Sequence, residues 1–339
     1  MKAIRIHEFG GPEVLKYEDV PEPELRKDQV LVQVKACALN HLDLWIRKGI
    51  PGIKLPLILG SDVSGVVAKL GEYVTDLKEG QRVLLAPMHA CYHCEFCLRG
   101  EHSFCRQFAA RGERINGGDC EYTAVPRVEV IPIPDSLTYD EAASVPLVFL
   151  TAWHMLVSRA NIQHGQTVLV WGAGSGVGSA AIQICKMVGC TVITTAGSER
   201  KLELAHELGA DFTLNHYKQK ISDEVKKIVK GGVDVVFEHT GEKTWPESLR
   251  SMRVGGTLVT CGATTGPEGK LDLRVLFTRQ LTFMGSFMGT MDDLNQALKY
   301  VFAGKLKPVV DKSFPLREAA KAHEYLEKGE QFGKVVLNP

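Results

Sequence analysis

Four cysteines fall within fifteen residues, spaced Cys91-x₂-Cys94-x₂-Cys97-x₇-Cys105. Thiolates this close in sequence can wrap a single tetrahedral ion, each sulfur about 2.3 Å from zinc. A complete tetrad leaves no coordination position for a substrate. One structural Zn²⁺ per chain, holding a lobe of about residues 88–110, is therefore expected. An iron–sulfur cluster fits less well: the bacterial ferredoxin run has three residues before its last cysteine and proline after it, whereas here there are seven, and Arg106 follows. His89, His93 and His102 surround the cluster, but the tetrad is already complete without them. The nine cysteines are an odd number in a long chain, and their clustering favours metal over a disulfide framework.

The second constellation is a glycine-rich turn, Trp171-Gly172-Ala173-Gly174-Ser175-Gly176-Val177-Gly178, between an apolar strand pattern and a helical one. A dinucleotide's pyrophosphate needs backbone N–H groups at a helix N-terminus and no side chains in the way. Gly172, Gly174, Ser175, Gly176, Val177 and Gly178 are the expected contacts, although the spacing departs from G-x-G-x-x-G and the loop looks one residue longer. An NAD-type site places an acid at the end of the next strand, about 20 residues on. Ala196 stands there instead, followed by Ser198, Arg200 and Lys201, residues suited to a 2′-phosphate. The alternative is that Arg200 and Lys201 form a solvated first helical turn. NADPH is expected, with NADH the alternative.

The elements that must position these groups are legible in outline. Alternation predicts strands at Val30–Ala36, within Ile58–Leu70, at Arg82–Ala86 and at Val128–Ile133, a β-rich first part with Gly and Pro punctuation. From about residue 150 strands and helices alternate: strands at Thr167–Trp171, Thr191–Ala196, Val233–Glu238, Thr257–Cys261 and Leu281–Phe287, with helices through Lys186, over Glu199–Leu208 and over Asp292–Ala303. This alternation implies βαβ units and a parallel sheet. The tail Lys334–Leu337 is strand-like. The chain of 339 residues is long enough for two domains. Lys+Arg and Asp+Glu both total 40, giving no bulk electrostatic reason to bind nucleic acid or an anionic membrane. No apolar run is long enough for a membrane span, and Met1–Arg5 lacks a signal-peptide pattern, so the cytoplasm is the expected location.

Taken together, Pro56-x₃-Gly60-x-Asp62-x₂-Gly65-x-Val67, Gly80-x-Arg82-Val83, the cysteine tetrad and Gly172–Gly178 resemble the zinc-containing medium-chain dehydrogenases/reductases over essentially the whole chain. The resemblance implies an α/β plus β fold. A GroES-like catalytic domain would cover 1–150, a Rossmann doubly wound parallel sheet 151–287, and a return segment 288–339 would complete the first domain. It also implies an interdomain cleft and a homodimer or homotetramer. Alcohol dehydrogenases of this family hold a catalytic zinc with Cys, His and Cys. Those places read Asn40, Ser61 (in Gly60-Ser61-Asp62) and the ligand-free stretch Val145–Leu150. Asn40, Asp43, Ser61-Asp62 and Leu150-Thr-Ala-Trp153 instead resemble the zinc-independent quinone oxidoreductase and enoyl reductase branch, which usually lacks the tetrad too.

The function this implies is NAD(P)H-dependent reduction of activated C=C bonds, quinones or related carbonyls without a catalytic zinc. Such a reaction needs hydrogen-bond donors where charge develops on oxygen. Asn40 is the expected donor, or else a helix cap. His41 is a second donor or a phosphate contact. Asp43 would orient His41 or accept backbone N–H groups, and Thr151 lies near the nicotinamide or is a helix N-cap. Because Asp62, His41 and Asp43 are metal-competent, an alcohol or aldehyde dehydrogenase with substitute zinc ligands is the alternative. An NADPH-binding protein with little turnover is a third reading. The expected partner is a small-molecule substrate.

Overall fold

The computed structural model describes all 339 residues and divides into two compact units, Met1–Leu147 with Pro308–Pro339, and Val148–Lys307. In chain order the strands of the first part are β1 (Lys2–Ile6), β2 (Lys16–Asp19), β3 (Gln29–Ala38), β4 (Leu57–Ile58), β5 (Asp62–Leu70), β6 (Arg82–Leu85), β7 (Met88–His89), β8 (Ala109–Ala110), β9 (Tyr122–Pro126) and β10 (Val130–Pro132). The second unit holds β11 (Thr167–Val170), β12 (Thr191–Ala196), β13 (Phe212–Asn215), β14 (Val233–Glu238), β15 (Met252–Thr260) and β16 (Thr282–Gly285). The chain then returns through β17 (Val310–Pro315) and β18 (Lys334–Asn338).

The first unit is built on a sheet ordered β10–β6–β5–β3–β18–β17, with β9 also pairing β3, beside a three-stranded sheet β2–β1–β4. β3 is its spine. Val30, Val32 and Val34 pack into one core together with Cys37, a change from even to odd positions. A register irregularity between Val34 and Ala36, against β5, supplies the extra residue. Ala36 and Ala38 thereby turn to a second cluster with Ala143 and Val336. The strand ends at Ala38, and a helix starts at His41.

The second unit is a parallel sheet ordered β13–β12–β11–β14–β15–β16, the doubly wound arrangement expected from the strand–helix alternation. Its core joins Leu169, Ile193, Val236 and Leu258 from four neighbouring strands. No helix is long and apolar enough to cross a membrane.

Two expectations change. The chain returns to the first unit at Pro308, later than the expected 288. The helix Met291–Phe302 belongs to the second unit because Asp293 binds His154 at 2.8 Å and Lys307 N–H donates to Gln183 at 2.8 Å. The expected strand Val128–Ile133 is a 3-10 turn over Arg127–Glu129 followed by β10, because Glu129 turns inward to accept from Arg111.

Candidate functional site

The pair β7–β8 forms the neck of the cysteine lobe, with Met88 opposite Ala110 and His89 opposite Ala109. Beyond it all four sulfurs lie within 4.8 Å of one another. Cys91 Sγ is 3.8 Å from Cys97 Sγ and 3.6 Å from Cys105 Sγ. Four sulfurs about 2.3 Å from a tetrahedral zinc would stand about 3.8 Å apart, so the arrangement fits one ion. Backbone N–H groups support the charge: Cys94 donates to Cys91 Sγ at 3.3 Å, and Gln107 to Cys105 Sγ at 3.3 Å. The backbone N–H groups of His93 and Cys94 hold the Cys91 thiol down to about 6.

None of the three histidines joins the sulfur cluster. His89 Nδ1 pairs with Glu129 at 2.5 Å, and His93 Nδ1 meets the Cys91 carbonyl at 2.6 Å. Buried Glu129 also accepts from Tyr92 Oη at 3.1 Å and from Arg111, pinning the lobe to the segment that leads into β10. Substituting Cys97 with Ser is expected to remove the bound zinc and expose residues 88–110 to protease. The nucleotide-type unit should keep its cofactor affinity. Metal analysis and limited proteolysis check this.

Asn40 and Asp62, from two of the segments singled out in the sequence, meet around an ammonium group. Lys334, at the start of β18, puts Nζ 2.6 Å from Asn40 Oδ1 and 2.7 Å from Asp62 Oδ2. Asn40 Nδ2 donates to the same Asp62 oxygen at 3.0 Å, closing a ring of ammonium, amide and carboxylate. Lysine has no acceptor and an ionised aspartate no donor, so the Asn40 amide has one orientation. The other Asp62 oxygen accepts the Leu147 N–H at 2.7 Å. Asp43 accepts backbone N–H groups from Asn40 at 2.7 Å and from Gly60 at 3.3 Å. Asn40 stands at the N-cap of the helix His41–Lys48, yet its side chain serves Lys334 and Asp62. Burial raises the Asp43 carboxyl to about 6. The Ser61 hydroxyl is buried without a hydrogen-bond partner.

A third buried carboxylate, Asp119, lies near this ring. Neither of its oxygens receives an N–H or O–H, and the Cys37 thiol is beside it. Burial, then the charge of Asp43, raises Asp119 to about 7. The folded state therefore keeps a proton that the unfolded chain releases near its ordinary value of 3.8. The stability contributed by that proton is complete below about pH 4 and is lost as pH rises to about 7. Asp119→Asn is expected to raise Tm by several degrees at pH 8, with the difference vanishing toward pH 4. A Tm difference independent of pH would contradict this assignment.

The glycine turn of the second unit joins β11 to the helix Gly176–Val188. Ser175 is the helix N-cap, its Oγ accepting the Gly178 N–H at 2.9 Å. His239, just after β14, covers the turn from one side. Its Nε2 donates to the Trp171 carbonyl at 2.8 Å, and burial holds the ring neutral. Glu238, also buried, receives N–H groups from Thr240 at 2.6 Å and Gly241 at 3.1 Å, and hydroxyls from Thr244 and Ser248.

At the end of β12, Ser198 caps the helix Glu199–Glu207, accepting from Lys201 N–H at 3.4 Å. Glu199 is the first acid after β12, and it pairs with Lys218 at 2.8 Å. His216 and Tyr217, which the sequence did not single out, join this corner: His216 Nδ1 is 3.3 Å from Thr195 Oγ1, and the two rings meet edge-on at 4.6 Å. Thr151 lies inside the helix Pro146–Trp153, so it is not an N-cap; its Oγ1 is buried and unpartnered. His41 is the first residue of its helix and half-buried.

Family models match both halves: "Alcohol dehydrogenase GroES-like domain" over residues 26–135 and "Zinc-binding dehydrogenase" over 176–303. An alcohol dehydrogenase of Geobacillus stearothermophilus is 32% identical, the match covering 99% of each chain. A quinone oxidoreductase of Rattus norvegicus is 32% identical over 99% of this chain and 97% of its own. A crystal structure described as an NAD-dependent alcohol dehydrogenase superposes with a TM-score of 0.97 at 43% identity, covering 100% of both chains. The chain belongs to the zinc-binding, medium-chain dehydrogenase/reductase family and is an NAD(P)-dependent oxidoreductase.

Proposed function

We propose that the chain is an NADPH-dependent reductase of activated C=C bonds, quinones or related carbonyls that works without a catalytic metal. The observation that carries this is the ring at Asn40, Asp62 and Lys334. The substitute ligands have their oxygens engaged: Asp62 by Lys334, Asn40 and Leu147, Asp43 by two backbone N–H groups. A divalent ion at this corner would also meet the Lys334 ammonium.

Bound at the glycine turn, NADPH would supply a hydride to an electron-poor carbon. The chain's task is then to orient the substrate and meet the negative charge that develops on its oxygen. Asn40 and His41 are the proposed donors, with Asp43 and Asp62 positioning Asn40, and Thr151 is proposed to lie near the nicotinamide. Gly172, Gly174, Ser175, Gly176, Val177 and Gly178 would cradle the pyrophosphate. Ser198, Arg200 and Lys201 would meet a 2′-phosphate, a preference favoured by Ala196 at the usual acid position and by the pairing of Glu199 with Lys218. A homodimer or homotetramer is proposed as well, because β16 is an open sheet edge with Leu273 and Phe277 exposed nearby.

Metal analysis with a turnover panel tests the reading. One zinc per chain, and NADPH oxidation with an enal, a quinone or an enoyl thioester, is the expected result. Two zincs, with alcohol oxidation lost when one is stripped, would replace it with the alcohol dehydrogenase reading. Absence of turnover across enals, quinones, enoyl thioesters and aldehydes would leave a binding protein.

A further inference from the structure

The chain leaves β11 through a peptide unit that is held from both sides. β11 and β14 stay in register up to Val170 and Phe237, and Trp171 N–H still donates to Phe237 O at 3.2 Å. Beyond that rung a side chain takes the donor's part: His239 Nε2 donates to the Trp171 carbonyl at 2.8 Å. The other polar group of the same peptide, Gly172 N–H, donates to Thr195 Oγ1 of β12 at 3.2 Å. An imidazole and a hydroxyl, one from each strand flanking β11, thus fix the plane of the Trp171–Gly172 peptide. That plane cannot turn without giving up a hydrogen bond at each end, and backbone groups left unpaired away from water are costly.

The imidazole is itself closely held. Gly172 has φ +61°, and a Cβ there would stand 3.2 Å from His239 Cε1, so glycine lets the ring lie against the turn. The ring is 3.4 Å from Ser175 Oγ, the N-cap of the next helix. Its backbone is fixed by Glu238, which accepts the Thr240 and Gly241 N–H groups, and by Gly262, where a Cβ would stand 2.6 Å from His239 O. The Trp171–Gly172 plane sets the direction in which the chain enters Gly172–Gly178, a loop one residue longer than G-x-G-x-x-G. A longer, glycine-rich loop has more conformations to lose, so an anchor outside the loop matters more. We propose that His239 is a positioning residue for the pyrophosphate of the dinucleotide: by fixing this peptide it holds the N–H groups of the turn ready for the anion. This rests on the reading of Gly172–Gly178 as the cofactor cradle. Without the anchor the turn samples other arrangements, and apparent affinity falls with the fraction that stays competent.

The test uses the zinc-loaded full chain and reads binding alone. NADPH is titrated by fluorescence, and two fragments compete with it: 2′-phospho-ADP-ribose, which carries the pyrophosphate, and adenosine 2′-monophosphate, which does not. His239→Leu removes the donor, and His239→Gln returns an N–H at similar reach. His239→Leu is expected to raise the Kd of NADPH and of the pyrophosphate fragment together by about fivefold or more, the effect of a competent fraction cut to about one fifth. Adenosine 2′-monophosphate should bind within about twofold of wild type, and His239→Gln should recover most of the loss. Unchanged NADPH affinity in His239→Leu overturns the proposal. So does an equal loss for both fragments, the mark of a residue that only supports the fold, or a Gln variant no better than Leu. Should His239→Leu fail to fold, His239→Asn, whose amide is one bond shorter, replaces it, and equal affinity of the Asn and Gln variants overturns the role. If NADH binds the wild type more tightly than NADPH, ADP-ribose and AMP serve as the two fragments and the same outcomes decide. Gly178→Ala, which disturbs the turn directly, separates the two readings. Weakened by Gly178→Ala but not by His239→Leu, binding sinks the histidine role alone; unaffected by either, it sinks the cradle as well.

Discussion

Asp62→Leu is expected to destabilise the first unit by about 3–5 kcal/mol, the range found when one member of a buried ion pair is removed. Three groups lose an acceptor at once: the Lys334 ammonium its charged one, the Asn40 amide its nearer one and the Leu147 N–H its carboxylate. Both charged side chains are buried, Asp62 at 0% and Lys334 at 3% exposure, so solvent cannot replace the lost partner. Urea denaturation followed by tryptophan fluorescence reads the loss. The double variant Asp62→Leu/Lys334→Met should recover much of it, because a well-packed apolar pair at a buried ion-pair site is often as stable as the charges. A single variant costing under 1 kcal/mol, or a double variant no better than the single, would mean that the ion pair does not organise this corner.

Gly178→Ala is expected to abolish tight dinucleotide binding. A Cβ at this position would stand 2.3 Å from the Gly172 carbonyl oxygen and 2.8 Å from Ser175 Oγ. The first obstacle is backbone and cannot swing aside, so the turn itself must open. Overpacking of this kind costs about 1–3 kcal/mol, and it also displaces the N–H groups that would face a pyrophosphate. NADPH Kd should rise at least tenfold, while the first unit keeps its zinc. Fluorescence titration with metal analysis checks both. Unchanged affinity would place the phosphates elsewhere.

What was legible in the sequence had local causes. The tetrad spans fifteen residues and could be read from spacing alone. The turn after β11 announced itself because glycine is needed where backbone must approach backbone. β3 was visible by alternation, although its register irregularity, which lets Cys37 share a face with Val34, was not. Lys334 was beyond reach for a different reason: it lies 294 positions from Asn40, and only the pairing of β18 beside β3 brings them together. At the places where the resemblance implies zinc ligands the sequence reads Asn40, Ser61 and Val145–Leu150, and nothing local says which group meets them. His239 and Glu238 were missed because the chemistry of a strand end depends on which strand lies beside it, here β11. Val128–Ile133 misled because apolar content alone does not show that Glu129 is pulled inward by Arg111.

The placement of β18 between β3 and β17 has a consequence for how the chain is made. During synthesis, residues 148–307 are complete, and can fold, before the strands that close the first unit have left the ribosome. Until then the end of β3 at Cys37 and Ala38 waits without its β18 partner, and the Asn40–Asp62 corner is a carboxylate without its cation. The nascent chain is therefore most exposed to misassembly late in translation, when a finished nucleotide-type unit is tethered to an open sheet.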